Sequence, residues 1–237
     1  IEKIATGKKI ISAADNPADL AISISLEEQL RALGRQILNM QDEISLLQTA
    51  DSAIGNISEV VQRIRELVIQ ASNGTLSNSD RQIIQNEINQ LNKNIDQITN
   101  NTQYNTKPLL NGTFSMQLQS KGIFSLPGMS ASELKTATID VTSPSGLEIA
   151  LSITDHALQF TSEIRSNIGA TINGINSEIK NLQVQYSNIL AANAQISDTD
   201  IARQIIELTK NQIQSEASIK TFKINDQTRQ SVLKLIG

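Results

Sequence analysis

PADLAISISLEEQLRALGRQILNMQDEISLLQTADSAIGNISEVVQRIRELVIQAS, Pro17 to Ser72, decides the fold. Apolar residues recur every seventh position at Leu26, Leu33, Met40, Leu47, Ile54, Val61 and Val68. A second stripe runs through Leu30, Ile37 and Ile44, then slips by one to Ala50, Ile57, Ile64 and Ala71. A nearly straight helix requires such a slip, because 3.6 residues per turn drifts against a strict seven. The spacing predicts one helix spanning roughly 84 Å at 1.5 Å per residue. Asp15-Asn16-Pro17 supplies its start, with a capping side chain and a proline suited to the first turn. Asn73-Gly74 supplies its stop. Gly34 and Gly55 inside it read as close-packing points or mild bends.

Working outward, Ser77-Asn78-Ser79-Asp80 opens a second helix with apolar positions Ile83, Ile84, Ile88, Leu91, Ile95 and Ile98. The short loop before it predicts a helical hairpin. From 105 to 154 the helical period fails, and Lys107-Pro108, Asn111-Gly112, Pro127-Gly128 and Pro144-Ser145-Gly146 are turn signals. Met116 to Gln119 and Thr138 to Thr142 alternate like strands, so a small β-hairpin region is expected there. Helical spacing resumes near Asp155, with Ile164, Ile168, Ile172, Ile175, Ile179, Leu182, Tyr186 and Ile189 as a partner stripe for the first helix. A last helix is expected from Ser197, read as its cap, with Ile201, Ile205, Leu208, Ile213, Ala217, Ile219 and Ile224 on its apolar face.

The expected class is therefore mainly α, an elongated antiparallel helical bundle or coiled coil with a small β-hairpin region in the middle. Its parts are a linker at 1–16, an N-terminal rod segment at 17–104, the β-hairpin and loop region at 105–154, a C-terminal rod segment at 155–196 and a terminal helix at 197–237.

Composition agrees. Hydrophobic residues make up 39% and aromatics 3%, with no Trp. A globule of this length would need more aromatic anchors, whereas a thin helical rod buries only stripes. The net charge of −4 and the lack of a basic block give no footprint for nucleic acid or an anionic membrane surface. No apolar run reaches the ~18 residues of a membrane span. Asn and Gln number 43, against 44 charged residues. That surface could pack on copies of itself without charge repulsion, or simply be solvated.

The chain offers little to chemistry. Without cysteine there is no disulfide, thiol nucleophile or cysteine metal site. His156 is the only histidine and reads as an exposed linker residue, too isolated for a histidine-rich metal centre. No HExxH, GxxxxGK[ST], GxSxG or GxGxxG pattern occurs. The adjacent acids Asp42-Glu43 and Glu27-Glu28 point to different faces of a helix and read as solvated charge. Asn73-Gly74-Thr75 and Asn111-Gly112-Thr113 match the N-glycosylation pattern, which arises often by chance. No enzyme activity, cofactor or metal is expected.

Several stretches carry a family resemblance. SAADNPADLAIS (Ser12–Ser23), ISLLQTAD (Ile44–Asp51) and above all VQRIRELVIQASNGTLSNSDRQIIQNEINQL (Val61–Leu91) resemble bacterial flagellins. So do NTKPLLNG (Asn105–Gly112), GMSAS (Gly128–Ser132), IRSNIGA (Ile164–Ala170) and the ending QSVLKL (Gln230–Leu235). The resemblance runs in order along nearly the whole chain. In three respects the chain departs from the family. It lacks a mostly helical stretch before Ile1, its middle is short, and Thr228-Arg229 stands where a proline is common.

The resemblance implies a subunit of a hollow extracellular filament used for motility, with paired chain ends inside and the middle facing outward. A periplasmic filament is the alternative location, and a hook–filament junction protein the alternative function. A generic coiled-coil scaffold is a more distant one. The resemblance also implies other subunits as partners, and an export chaperone on the C-terminal segment. It further implies a Toll-like receptor contact at Arg63, Leu67 and Glu87. Ile201 to Ile236, lacking a partner helix, is expected to be weakly protected from hydrogen exchange in a monomer.

Overall fold

Asn16 does what the sequence asks of it. Its Oδ1 accepts the Ala18 and Asp19 amides at 3.2 Å each, and α2 runs from Pro17 to Ala71. A computed structural model describes residues 2–119 and 122–236. Its remaining helices are α1 (Glu2–Thr6), α3 (Asn78–Asn101), α4 (Pro144–Ser197) and α5 (Ile201–Ile236). Strand β1 (Gln103–Tyr104) pairs with β2 (Lys107–Pro108), and β3 (Ser115–Leu118) with β4 (Gly122–Ser125), both antiparallel. The chain forms two compact units, Arg35–Gln183 and 1–34 with 184–237.

In the larger unit, Met40, Leu47, Ile54, Val61 and Val68 are buried, as are Ala50, Ile57, Ile64 and Ala71 of the second stripe. From α4, Ile168, Ile175, Ile179 and Leu182 join them, while Ile164 is half-buried. Two ion pairs fix the register of α2 against α4. Arg65 Nε meets Asp155 Oδ1 at 2.7 Å, and Arg165 Nε meets Asp51 Oδ1 at 2.9 Å. The numbers rise on one helix as they fall on the other, so the pair is antiparallel. The close-packing reading of the glycines fails. A Cβ at Gly34 would meet nothing within 4 Å, and at Gly55 only the Arg165 guanidinium at an ordinary 3.8 Å.

Helix α3 begins with a capping box: Ser77 Oγ accepts from the Asp80 amide and Asp80 accepts from the Ser77 amide. Those bonds, from the Ser77 hydroxyl first, hold the Asp80 carboxyl below the usual range. One polar face of α3 then fastens the loop that precedes α4. Thr99 Oγ1 donates to Met129 O, and Asp96 Oδ1 accepts the Ala131 amide. Asn92 Nδ2 donates to Thr136 O, and Gln85 donates to Ile139 O while accepting the Val141 amide.

This corrects the expected strand at Thr138–Thr142. Ile139 and Val141 are buried in alternation, but their backbone partner is the Gln85 amide and not a second strand. Thr136–Thr138 forms a short 3-10 turn instead. The other expected strand exists as β3, with Met116 facing Phe124 across the hairpin.

The return helix begins at Pro144, well before Asp155. Pro144-Ser145-Gly146 is a helix start and not a turn, because proline fits the first helical position. At Gly146 a Cβ would lie 2.2 Å from the Asp140 carbonyl oxygen, so only glycine fits this corner. His156 accordingly sits on α4, exposed, and not on a linker.

The β1–β2 turn places Asn105 (φ 47°) and Thr106 (φ 64°) in the left-handed region, as a two-residue I′ turn demands. Threonine is poorly suited to it because it is branched at Cβ. Thr106→Gly is expected to stabilise the protein by about 1 kcal/mol, the backbone strain relieved less the added unfolded-state freedom of glycine. A thermal melt checks the sign; a lower midpoint would count against the strain.

In the smaller unit, Leu26 and Leu33 are only half-buried, because fewer elements surround α2 there. Within the segment expected as a linker, residues 7–10 are tied down. Lys9 N donates to Ser197 O at 2.6 Å, and Thr199 N to Gly7 O at 3.0 Å. Ile10 is buried, and Ser23 Oγ donates to Asn193 Oδ1 at 2.7 Å in the interior. The cap of α5 is Asp200, whose Oδ1 accepts the Ala202 and Arg203 amides. Ser197, expected in that role, closes α4. The side chains of the Val232–Leu235 ending lie outside the described residues.

Candidate interaction surfaces

Successive turns of α2 present Arg63 and Leu67 in register, four residues apart and so on one face. The structure separates their roles. Arg63 is exposed on the seam between α2 and α3, where Nη2 meets Glu87 Oε1 at 2.9 Å and Nη1 meets Glu66 Oε2 at 3.1 Å. The Glu87 bond first, and the Glu66 bond second, push the Arg63 pKa above the usual arginine value. Leu67 is 1% exposed and belongs to the core beneath. The structure thus joins Arg63 and Glu87 in one charged patch and leaves Leu67 no surface of its own. Glu66, absent from the sequence-based set, completes the patch. Its position three residues after Arg63 was the available signal.

The second surface is α5. Ile201, Ile205, Ile206, Ile213, Ile219, Phe222 and Ile224 are all exposed, Ile213 by 63% and Phe222 by 74%. Only Gln204 and Leu208 are half-buried among residues 201–231, on the stretch where α1 packs on α5. Large apolar side chains concentrated on one helix and open to water mark a contact surface.

Buried stripes, paired helices and a helix with exposed large apolar side chains define a helical packing subunit, one that works through the surfaces it offers to others. The family model of the bacterial flagellin N-terminal helical region matches residues 1–115, and that of the C-terminal helical region matches 151–236. The chain belongs to the bacterial flagellin family. It is 36% identical to a flagellin of Halalkalibacterium halodurans over its whole length and 90% of that protein's. Its fold is similar to that of a Bacillus cereus flagellin, with a TM-score of 0.54 at 30% identity over 66% of this chain and 94% of the other. A Vibrio parahaemolyticus protein, provisionally described as flagellar hook-associated, shares the fold with a TM-score of 0.68 at 15% identity. That likeness covers 78% of this chain and all of the other.

Proposed function

We propose that this chain is the repeating subunit of a flagellar filament, acting by packing and without bond-making chemistry, and that α5 is the element completed by assembly. The observation that carries this is the exposure of large apolar side chains along α5, Ile201, Ile205, Ile206, Ile213, Ile219, Phe222 and Ile224. Isolated, such a helix buries too little apolar surface to offset its ordering entropy. Packed against neighbouring copies, each large apolar side chain contributes about 1.5–3 kcal/mol. Electron microscopy of self-assembly tests it: long filaments are expected, and only short caps or no polymer would favour the hook–filament junction reading.

The exposed apolar side chains of α5 also support an export chaperone that covers 197–237 before assembly. The filament is assigned to the outside of the cell, with the periplasm as the alternative.

The Arg63–Glu87 patch is proposed as the contact for a Toll-like receptor, with Leu67 setting the patch in place from below. In a reporter-cell assay, Arg63→Ala is expected to lower signalling while leaving the thermal melt nearly unchanged, because exposed ion pairs add little to stability. Equal signal from the wild type, Arg63→Ala and Leu67→Ala would remove these residues from the contact.

A further inference from the structure

Three Asn-Gly pairs occur, at 73–74, 111–112 and 173–174, and the fold treats each differently. We infer that Asn73 is a site of spontaneous conversion to aspartate and isoaspartate, selected by the loop between α2 and α3. The Gly74 nitrogen forms a bond to Asn73 Cγ and the Cγ–Nδ2 bond breaks. Nδ2 leaves as ammonia, carrying the proton released by the Gly74 amide. Water then opens the cyclic imide at either carbonyl, giving aspartate or isoaspartate. The reaction needs no reagent but water, and adds one negative charge to the −4 of the chain.

Three features of the loop favour the first step. Asn73 Oδ1 accepts the Thr75 amide at 3.1 Å and the Thr75 hydroxyl at 3.0 Å. This Asx turn folds the side chain back over the peptide that follows it. Both donors aim at the oxygen on which negative charge develops when Cγ is attacked, the logic of an oxyanion hole. The Gly74 amide donates no hydrogen bond among the described residues, so the nucleophile is free. Around Gly74 nothing lies within 4 Å of the place a Cβ would take, so the backbone can turn to close the ring.

Asn111 has the same turn, with Thr113 N at 3.1 Å and Thr113 Oγ1 at 2.8 Å from its Oδ1. Its backbone is held, however. Asn111 bridges Gly128, Met129 N donates to Leu110 O at 2.9 Å, and the Cβ position of Gly112 is 3.2 Å from Gly128 N. Ring closure there must break this packing. Asn173 lies inside α4, where the Gly174 N–H is committed to the carbonyl four residues earlier.

The test is timed incubation of the folded chain at mildly alkaline pH, read by peptide mass mapping and by isoaspartyl methyltransferase labelling. Conversion is expected at Asn73 first, several-fold slower at Asn111, and at Asn173 only once α4 is melted. Thr75→Val should slow position 73 several-fold and Thr75→Ser should restore it, with unchanged rates at 111 in both. Rates at 111 or 173 equal to or above that at 73 would overturn the inference, as would an unchanged rate in Thr75→Val.

Discussion

Leu67→Ala is expected to lower the unfolding free energy by about 3 kcal/mol, the mid-range cost of emptying a buried leucine site, and the thermal midpoint by roughly 10 °C. The side chain is 1% exposed and flanked on the same helix by the fully buried Ile64 and Val68. The long helices leave little freedom to collapse the cavity. Leu67→Met should cost less than about 1.5 kcal/mol, because volume is kept. The pair of variants separates two readings of position 67. If Leu67 sets the patch from within, Leu67→Met keeps both stability and receptor signalling, and Leu67→Ala loses both as the seam between α2 and α3 loosens. If Leu67 were itself a contact, signalling would fall in Leu67→Met while the melt stayed put. A melt unchanged in Leu67→Ala would show that the side chain is not the packed core residue described above.

What the sequence revealed and concealed follows from residue chemistry. Stripes of leucine and isoleucine announced α2, α3 and the later part of α4, because each turn repeats a large apolar residue. The first turns of α4 are equally buried but use Ala150, Thr154, Ala157 and Thr161. These side chains are too small or too polar to register as a hydrophobic stripe. Thr154 and Thr161 hide their hydroxyls by donating to Leu151 O and Leu158 O. A helix built on such residues therefore reads as loop in the sequence. The Thr138–Thr142 error has the opposite cause. Alternation correctly reported which side chains are buried, but says nothing about what pairs with the backbone, and a single glutamine supplied that pairing. Part of the neutral amide content, read as outward surface, faces inward at Gln85, Asn92 and Asn193. As for the surfaces, position 63 with 87 was legible only by resemblance. On α5 the large apolar residues were legible in the sequence, but the single apolar face expected of them was not found: Ile201, Ile205, Ile206, Ile213 and Ile224 are exposed on different sides of the helix.

Ile213→Asp is expected to abolish filament growth at concentrations where the wild type assembles, while leaving the monomer's melt within about 0.5 kcal/mol of the parent. Ile213 is 63% exposed, so the free chain loses almost no contact when it is replaced. In the proposed assembly the side chain is covered by neighbouring copies. Losing it there forfeits about 2 kcal/mol of apolar burial, and an unpaired carboxylate in the seam costs several kcal/mol more. At 1.4 kcal/mol per factor of ten, a total of at least about 4 kcal/mol raises the critical concentration by at least roughly 10³-fold. Ile213→Leu, which keeps volume and polarity, should assemble nearly as the wild type does. Hydrogen exchange supplies the structural counterpart: residues 201–231 should exchange quickly in the monomer and slowly in the filament. Growth of Ile213→Asp at the wild-type concentration, with α5 still exchanging quickly, would mean that assembly does not cover this helix. Contacts between copies would then have to come from the larger unit alone.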